Sequence, residues 1–402
     1  MWCGMLWSRA LLSISLVAFV TAAIVAAGPV QSWRTFRREP STWGLALLFL
    51  IPLVTLPWTQ DKAAWMNLMQ VKLPFLFLPF TIAGLASMPP SAVRWAWRGM
   101  LVATLLASLM VLWEYAGAVR DVNASYLRGG VMQVSMDNDH VRFGWALAIL
   151  YVVVLEGVLN RDHDLLGWGR TTGVALLVFL GAFILVLASR TGLLGLLLAH
   201  GYALFSMPPG RWRRKARSLM LALPLAALYF MPSLANRVRF MVWDFQNYSR
   251  GGYVKGLNDA PRVISWQAGI DLMKQAPWTG TGSGDLDAAM KEWYAMHRPD
   301  MPEKEQLHPS NEWILHGAAT GIAGLIAFTC AIFIIVRSRS TWMVWRVTMA
   351  LSILGFLYEL GIEMQYGVYL FGFFTVFFLS RDPTRKDHSF TFDAIDRKEQ
   401  QP

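Results

Sequence analysis

Long apolar runs recur along the whole chain and restrict its fold more than any other feature. A helix that crosses a bilayer needs about 20 mainly apolar residues, within a range of about 17–25. Segments that meet this rule lie near residues 10–28, 42–58, 69–87, 97–118, 142–159, 171–189, 191–207, 216–232, 313–336, 342–360 and 365–380. The sequence therefore predicts an all-α, polytopic transmembrane helical bundle of 11–12 spans.

Composition agrees with a membrane protein and argues against a nucleic-acid-binding one. Charged residues make up 15% of the chain, whereas soluble proteins carry about 25%. The net charge of +10 arises mostly from Lys and Arg in short connections between apolar runs. There they fix topology and contact lipid head groups. No RNP-like, zinc-finger or helix-turn-helix pattern occurs, so the expected contacts are membrane lipids and not nucleic acid.

The first apolar run has features of a signal peptide, including a small-residue site at residues 25–27. However, only Arg9 precedes the run, while Arg34, Arg37 and Arg38 follow it. This charge bias retains the downstream side in the cytoplasm. We therefore expect an uncleaved first span.

Lys and Arg in alternate loops set the predicted orientation. The basic set of loops is assigned to the cytoplasm, together with the C-terminal tail; it contains Arg34, Arg37, Arg38, Arg94, Arg98, Arg161, Arg170, Arg211, Arg213, Arg214, Lys215, Arg217, Arg337 and Arg339. The other set faces outward and consists of 119–141, the turn at Arg190, 233–312 and 361–364. With eleven spans the N-terminus also lies outside, whereas a cytoplasmic N-terminus would require one more helix before residue 119.

The long polar segment 233–312 is predicted to fold into a cap of short helices. Its aromatic residues are too numerous for a disordered tract; they are Trp243, Phe245, Tyr248, Tyr253, Trp266, Trp278 and Trp293. Apolar residues from Ile264 to Met273 lie close to helical spacing, and Pro277 ends that helix. Gly280, Gly282 and Gly284 indicate a tight turn, followed by a second short helix over 285–297.

These patterns divide the chain into four predicted parts. They are an N-terminal transmembrane bundle (1–232), a periplasmic helical cap (233–312), C-terminal transmembrane helices (313–380) and a disordered cytoplasmic tail (381–402).

Arginines at predicted helix ends are candidate anion-binding residues. Arg190 lies between two apolar runs, where a guanidinium is costly unless it is paired or solvated. Arg262 lies just inside the start of the first cap helix, and a helix N-terminus with a guanidinium suits phosphate or carboxylate. Arg142, at the outer start of its span, extends the same basic surface. The alternatives are a snorkelling anchor for Arg190 and solvated surface side chains for Arg262 and Arg142.

His308 is the candidate general base. It lies where the cap re-enters the membrane, and Pro309, Asn311 and Glu312 follow it closely. An imidazole accepts a proton near neutral pH, as base catalysis requires. The alternative is an interfacial histidine that makes one backbone hydrogen bond. His316, two turns deeper, is expected to be a packed bundle residue.

Two other site classes are not expected. The glycine-rich stretch 280–284 has no preceding strand and lies outside, which argues against a nucleotide loop. No Asp, Glu or His set has metal-ligand spacing, and Cys3 and Cys330 give no metal cluster. We therefore expect no obligatory metal and no cofactor, and we assign no role to Glu359 and Glu363.

Three segments resemble the O-antigen ligases, within the wider group that includes O-antigen polymerases and bacterial O-linked oligosaccharyltransferases. The first is Ser189-Arg190-Thr191-Gly192 at a helix junction. The second is Arg262-x-x-x-Trp266, followed by the Ala-Pro-Trp-x-Gly-x-Gly-x-Gly stretch of 276–284. The third is His308-Pro309-Ser310-Asn311-Glu312, followed by Gly321-Ile322-Ala323-Gly324. With the topology, the resemblance covers roughly residues 140–380. The family often has His-x-His-Asn at the third segment, where this chain has Ser310 in place of the second histidine.

The resemblance implies a glycosyltransferase of the inner membrane with its active site facing the periplasm. The donor would be an undecaprenyl-diphosphate-linked O-antigen, and the acceptor a lipid A–core sugar. Arg190 and Arg262, with Arg142 beside them, would bind the diphosphate, and His308 would orient or deprotonate the acceptor hydroxyl. Asn311 and Glu312 would support it, and a direct single displacement without metal would invert the anomer.

Other functions remain open on the sequence alone. A polymerase would extend the same donor, but polymerases often carry two sizeable outer loops and the other outer stretch here, 119–141, is short. A protein O-oligosaccharyltransferase is a further relative. A transporter belongs to a different class, and it predicts repeat symmetry or broken helices with charges at the membrane midplane, which the sequence does not display.

Overall fold

The computed structural model describes residues 1–160, 164–206, 210, 215, 226–251, 256, 259–337 and 340–384. Over these residues the protein is all-helical, without strands. The α-helices are α1 (Trp2–Trp7), α2 (Arg9–Ala27), α3 (Pro29–Arg38), α4 (Pro40–Leu53), α5 (Lys62–Phe77), α6 (Ile82–Ser87), α7 (Pro90–Gly117), α8 (Val119–Tyr126), α9 (His140–Leu159), α10 (Arg170–Leu187), α11 (Arg190–Ser206), α12 (Pro232–Gly251), α13 (Ala260–Gln275), α14 (Leu286–His297), α15 (Glu312–Val336), α16 (Met343–Phe356) and α17 (Gln365–Arg381). Short 3₁₀ helices lie at Leu78–Thr81, Met136–Asn138 and Glu303–Glu305.

Several helices are long and apolar enough to cross a membrane. Six such segments occur in the described residues: Arg9–Ala27, Lys62–Ser87, Pro90–Gly117, His140–Leu159, Arg170–Leu187 and Glu312–Val336. The shorter helices α4 and α16 are also apolar. The prediction of a polytopic helical bundle is confirmed, and the chain is a multi-pass membrane protein.

Most of the predicted spans coincide with helices, although several helices are shorter than the apolar run. The run at 42–58 forms a helix only to Leu53 and then turns over 54–58, where the Pro52 carbonyl accepts from the Thr55 hydroxyl and the Trp65 indole. The predicted span 216–232 and the tail from 385 onward lie mostly or wholly outside the described residues. The prediction missed α1, whose Trp2 indole donates to Thr104 Oγ1 at 2.8 Å inside the bundle.

The centre of the bundle is formed by α9 and α17. In α9, 89% of the most apolar stretch is buried, compared with 22% in α2, so α9 packs among other helices while α2 presents most of its side chains outward. Trp97 of α7 packs on Phe374, Phe377 and Phe378 of α17. Apolar and aromatic packing therefore holds the interior together.

The segments predicted to face outward meet at one end of the bundle. At the start of α2, Arg9 Nε lies 2.6 Å from Asp137 Oδ2 in the 119–141 segment. The α4–α5 loop joins the cap, since the backbone N–H groups of Gln60 and Asp61 each donate to Asp285 at 2.7 Å. These contacts agree with an N-terminus on the same side as the cap, and this end carries the candidate site.

The cap contains the two short helices that the sequence predicts. Helix α13 ends at Gln275, just before Pro277, and α14 covers Leu286–His297. The cap also contains α12, a 20-residue helix that the sequence prediction did not place. Its residues are on average more polar than those of the bundle spans, so the search for apolar runs did not find it.

The glycine-rich turn after α13 docks on a break in α15. Gly280 has a φ of 66°, and the N–H groups of Thr281 and Gly282 donate to the carbonyls of Ala318 and Ala319 at 2.9 and 3.0 Å. Those carbonyls precede Gly321, whose φ of 69° interrupts the helix. Beyond the break, the Ile322 N–H donates to the Pro277 carbonyl at 2.8 Å. The turn and the break therefore satisfy each other's backbone groups.

Gly280→Ala is expected to destabilise the protein by about 1–3 kcal/mol, because an L-residue is strained at this positive φ. The added Cβ would also lie 2.4 Å from the Ala319 carbonyl carbon. The thermal unfolding midpoint in detergent measures the effect. Gly99→Ala is the matched control, since no atom lies within 4 Å of the position that its Cβ would take. An unchanged midpoint for Gly280→Ala would show that the turn does not support the cap.

Candidate active site

The Ser-Arg-Thr-Gly motif forms a tight junction between α10 and α11. Ala188 adopts the left-handed conformation with φ 50°, and α11 begins two residues later. The Ser189 hydroxyl accepts the Gly192 N–H at 3.3 Å and caps α11. The Thr191 hydroxyl donates to the Val141 carbonyl at 2.7 Å, which fixes the junction beside the start of α9. Arg190 therefore projects from the first position of α11.

Arg190 and Arg262 lie on either side of one carboxylate. Arg190 binds Asp259 with both terminal nitrogens, at 2.5 and 2.8 Å. Arg262 Nε lies 4.0 Å from the same carboxylate. Arg262 Nη1 also lies 2.7 Å from Glu359 Oε2 and donates to the Tyr358 carbonyl at 2.7 Å. Both side chains are partly buried, at 23% and 22% exposed, so neither is a freely solvated surface arginine.

Arg142, near the start of α9, is the third candidate arginine. Its backbone N–H donates to Asp139 at 3.0 Å, which caps the helix. Its guanidinium donates to the Leu360 carbonyl and is 5% exposed as a residue. The side chain is therefore buried against the cap end of α16 and is not a solvated surface arginine.

The connection between α16 and α17, residues 357–364, holds the site residues together. Its carbonyls accept from Asn311 at Leu357, from Arg262 at Tyr358 and from Arg142 at Leu360. Its Ile362 N–H donates to Glu312 Oε1 at 2.8 Å. We call this stretch the 357–364 segment. The sequence predicted only a turn at 361–364 and gave its two glutamates no role.

His308 pairs with a carboxylate of α14. Its Nε2 lies 3.3 Å from Asp287 Oδ1, and its side chain is 41% exposed. The pKa of Asp287 is lowered, chiefly by the hydrogen bond from Lys291 and further by His308. The carboxylate therefore stays ionised and fixes the imidazole in one orientation. The predicted position of His308, just before α15, is the one that the structure gives.

The residues after His308 build the start of α15. The Asn311 side chain caps the helix by accepting from Trp313 and Ile314, at 2.9 and 3.1 Å. Ser310 is 4% exposed and its N–H donates to Ser265 Oγ at 3.1 Å. The place where the family often has a second histidine is thus packed against α13, whereas the His308 side chain keeps 41% of its surface exposed.

A cavity of about 350 Å³ lies between the bundle and the cap. Its polar wall includes His308, Asp287, Arg142 and Glu359, and its deeper part includes Lys72, His316 and Glu363. This volume is at the lower end of the range for small-molecule sites. The cavity therefore has an imidazole–carboxylate pair at one side and an arginine at another.

The deep end of the cavity holds a buried charged cluster. Glu312, His316 and Glu363 have ligand-type atoms within 4.8 Å of one another, so the expectation that no such set exists is wrong. The sequence could not reveal it, because Glu363 comes from a distant connection. Lys72 Nζ binds Glu363 Oε1, the oxygen that lies 3.9 Å from His316 Nε2. The ammonium already supplies a positive charge here, and it disfavours a further cation at the same oxygen. His316 also stacks on Phe328, with ring centroids 4.3 Å apart.

The predicted site residues therefore fall into two adjoining groups. Arg190 and Arg262 meet at Asp259, and Arg142 and His308 line one cavity. Glu359 links the groups, since it lines the cavity and binds Arg262. Glu312 supports the site by accepting the Ile362 N–H of the 357–364 segment.

Residues 175–329 match the family described as O-antigen ligase. This part of the chain is similar to the O-antigen ligases. The members of that family are glycosyltransferase-like enzymes of glycan assembly. The match contains Arg190, Arg262 and His308, whereas Arg142 and the 357–364 segment lie outside it. No curated protein matches the chain.

Several site residues escaped the sequence analysis. Asp259 and Asp287 contact Arg190 and His308 across long stretches of chain, and nothing in their local sequence distinguishes them from surface carboxylates. Glu359 was noted at a helix end but given no role, and the structure pairs it with Arg262. Lys72 did carry a signal, because a charge within the apolar run 69–87 is a functional candidate by default. Arg237, a buried arginine on α12, lay in a stretch that was not recognised as a helix.

Proposed function

We propose that this protein transfers a glycan from undecaprenyl diphosphate to a lipid A–core sugar at the periplasmic face of the inner membrane. The observation that carries the proposal is the pairing of Arg190 and Arg262 on one carboxylate, beside a cavity that holds the His308–Asp287 pair. All these residues lie within the family match. The Lys and Arg bias of the short loops supports the periplasmic assignment.

The two arginines are suited to the donor diphosphate. A guanidinium binds a carboxylate or a phosphate through two parallel hydrogen bonds. Asp259 makes such a bidentate contact with Arg190, and therefore has the geometry that two phosphate oxygens would adopt there. Glu359 contacts Arg262 through a single oxygen. In the proposed complex the diphosphate takes the place of these carboxylates, and the arginines stabilise the charge that develops as it leaves. Arg142, in the cavity wall, extends this positive surface toward the reacting centre.

His308 activates the acceptor in this proposal. With Nε2 facing Asp287, the Nδ1 atom remains to accept the proton of an acceptor hydroxyl. The hydroxyl oxygen bonds to the anomeric carbon while the bond from that carbon to the diphosphate oxygen breaks, and the diphosphate departs on its lipid with the electron pair. A single displacement of this kind inverts the anomer. Asn311 and Glu312 support the pair by fixing the start of α15 and the 357–364 segment.

The proposal divides the chain by role. Residues 1–232 and 313–380 form the transmembrane parts, 233–312 form the periplasmic cap over the site, and 381–402 form a cytoplasmic tail. Membrane lipids surround the bundle, and both substrates reach the site from the bilayer surface.

Transfer by the purified protein from a defined lipid-diphosphate glycan to a defined lipid A–core acceptor tests the function. Product with an inverted anomer supports it. Elongation of the donor glycan would instead identify a polymerase, and glycan transfer to protein an O-oligosaccharyltransferase. Uptake or release of lipid across a vesicle membrane without transfer would identify a transporter and contradict the proposal.

Transfer is expected to persist at an unchanged rate in EDTA. The reason is that two arginines neutralise the diphosphate and the Lys72 ammonium pairs with Glu363 in the deep cluster. The rate with EDTA is compared with the rate in added Mg²⁺ under otherwise identical conditions. Loss of transfer in EDTA that one divalent ion restores would contradict the metal-independent mechanism.

A further inference from the structure

Arg237 is a buried arginine that makes no hydrogen bond or ion pair with the described residues. It lies on α12, and 7% of the residue is exposed. Its Nε and Nη1 atoms are buried and have no hydrogen-bond acceptor among the described residues. A buried charge that makes no hydrogen bond is costly, because its lost hydration is not replaced by direct contacts. Such a residue needs a reason to be charged in this place.

The surroundings of Arg237 belong to the candidate site. Burial lowers the pKa of Arg237 most, and the positive charge of Arg190 lowers it further; Tyr126 and the Asp259 carboxylate raise it, and Arg262 has the smallest effect, a lowering one. On the same face of α12, two turns later, Asp244 accepts the Asp259 N–H at 2.8 Å. Asp259 is the carboxylate that binds Arg190. The buried face of α12 therefore looks toward the meeting point of Arg190 and Arg262.

Arg237 is not needed to hold α12 in place. The helix is fixed to the end of α8 by the Asn236 amide, which donates to the Asn123 carbonyl at 2.8 Å. Asp244 fixes it to the start of α13. Arg237 makes neither a hydrogen bond nor an ion pair with the described residues, and so it adds charge without adding a contact.

We infer that Arg237 is a further binding residue for the phosphate groups of an isoprenoid-linked diphosphate, beside Arg190 and Arg262. The inference rests on the proposed function and adds a residue that lies in a different helix. Arg190 and Arg262 are held by carboxylates in this structure, whereas Arg237 is not. A phosphate that binds Arg237 therefore does not have to displace a carboxylate of the described residues.

Binding of farnesyl diphosphate to the purified full-length protein in detergent tests the inference, with inorganic pyrophosphate as the head group alone. Arg237→Gln is expected to weaken binding of both probes about ten- to a hundredfold, as loss of charge-assisted hydrogen bonds predicts. Arg237→Lys should weaken it nearly as much, because an ammonium cannot replace the fork. Arg239→Gln is the matched control: it is exposed, two residues away on α12, and should leave both affinities unchanged. Tighter binding of farnesyl diphosphate than of pyrophosphate in the wild type would identify the lipid as the source of the phosphate.

A second measurement separates binding from structure. Because an unpaired buried charge destabilises the ligand-free protein, Arg237→Gln should leave its thermal midpoint unchanged or raise it. Equal affinity of wild type and Arg237→Gln for both probes would overturn the inference. A lower midpoint together with an unchanged ligand-induced stabilisation would also overturn it, as would a loss confined to farnesyl diphosphate. A wild-type protein that binds neither probe would contradict the proposed function itself.

Discussion

His308→Ala is expected to reduce glycan transfer by about 100- to 10,000-fold, to below detection in most assays. The imidazole lines the cavity and pairs with Asp287, and in the proposed mechanism its loss removes the group that accepts the hydroxyl proton. The side chain is 41% exposed, and its removal should leave the fold and the expression level unchanged. The rate is measured with purified protein, defined donor and defined acceptor.

His297→Ala provides the matched control for this variant. His297 is an exposed histidine at the end of α14, and its ring stacks on Trp293 outside the cavity wall. Transfer by His297→Ala should equal that of the wild type. Asp287→Asn should give an intermediate loss, because the imidazole remains but its orientation is no longer fixed. If His308→Ala transfers glycan at the wild-type rate, His308 has no part in the mechanism.

Arg190→Lys and Arg262→Lys are each expected to slow transfer by about 100- to 1000-fold, and the alanine variants at least as much. Lysine keeps the charge but loses the planar fork, and a point charge cannot bind two phosphate oxygens in parallel. The bidentate contact of Arg190 with Asp259 shows that the fork is correctly aimed in this structure. Steady-state transfer rates at saturating acceptor measure the effect.

Two controls keep this prediction informative. Arg128→Lys alters an exposed arginine in the 119–141 segment and should transfer normally. Removing Arg190 also leaves Asp259 unpaired, so the double variant Arg190→Ala with Asp259→Ala is compared with the single one. If the double variant regains wild-type transfer, Arg190 serves only to neutralise Asp259, and the proposed diphosphate contact is wrong.

The helices of the bundle were predictable because their information is local. An apolar run of about 20 residues predicts a membrane-spanning helix by itself. In the same way, Pro277 predicts a helix end and the glycines of 280–284 predict a turn. The ends of the spans were less predictable. The apolar run at 42–58 continues beyond the helix, which ends at Leu53; in the turn that follows, Thr55 accepts the Ser283 N–H from the cap, a contact that the local sequence does not reveal.

The positions of Arg190, Arg262 and His308 on their helices were also predictable, but their partners were not. Asp259 and Arg190 are 69 residues apart, and Glu359 lies further still from Arg262. Whether a carboxylate is a surface group or the partner of an arginine depends on which helices pack together, and this is a property of the folded chain. Lys72 is the exception, because its burial could have been inferred from the apolar residues around it.

The 357–364 segment connects the arginine pair of the site to the cavity that contains His308. Glu359 lines the cavity and also pairs with Arg262. In the proposed mechanism, a phosphate that binds Arg262 would release this carboxylate toward the space where the acceptor enters, and its oxygen would then accept a hydrogen bond from a sugar hydroxyl. Occupancy of one pocket then changes the affinity of the other, and by thermodynamic reciprocity the factor is the same in both directions. Donor and acceptor would thus bind cooperatively, which favours the complete ternary complex over either lipid alone.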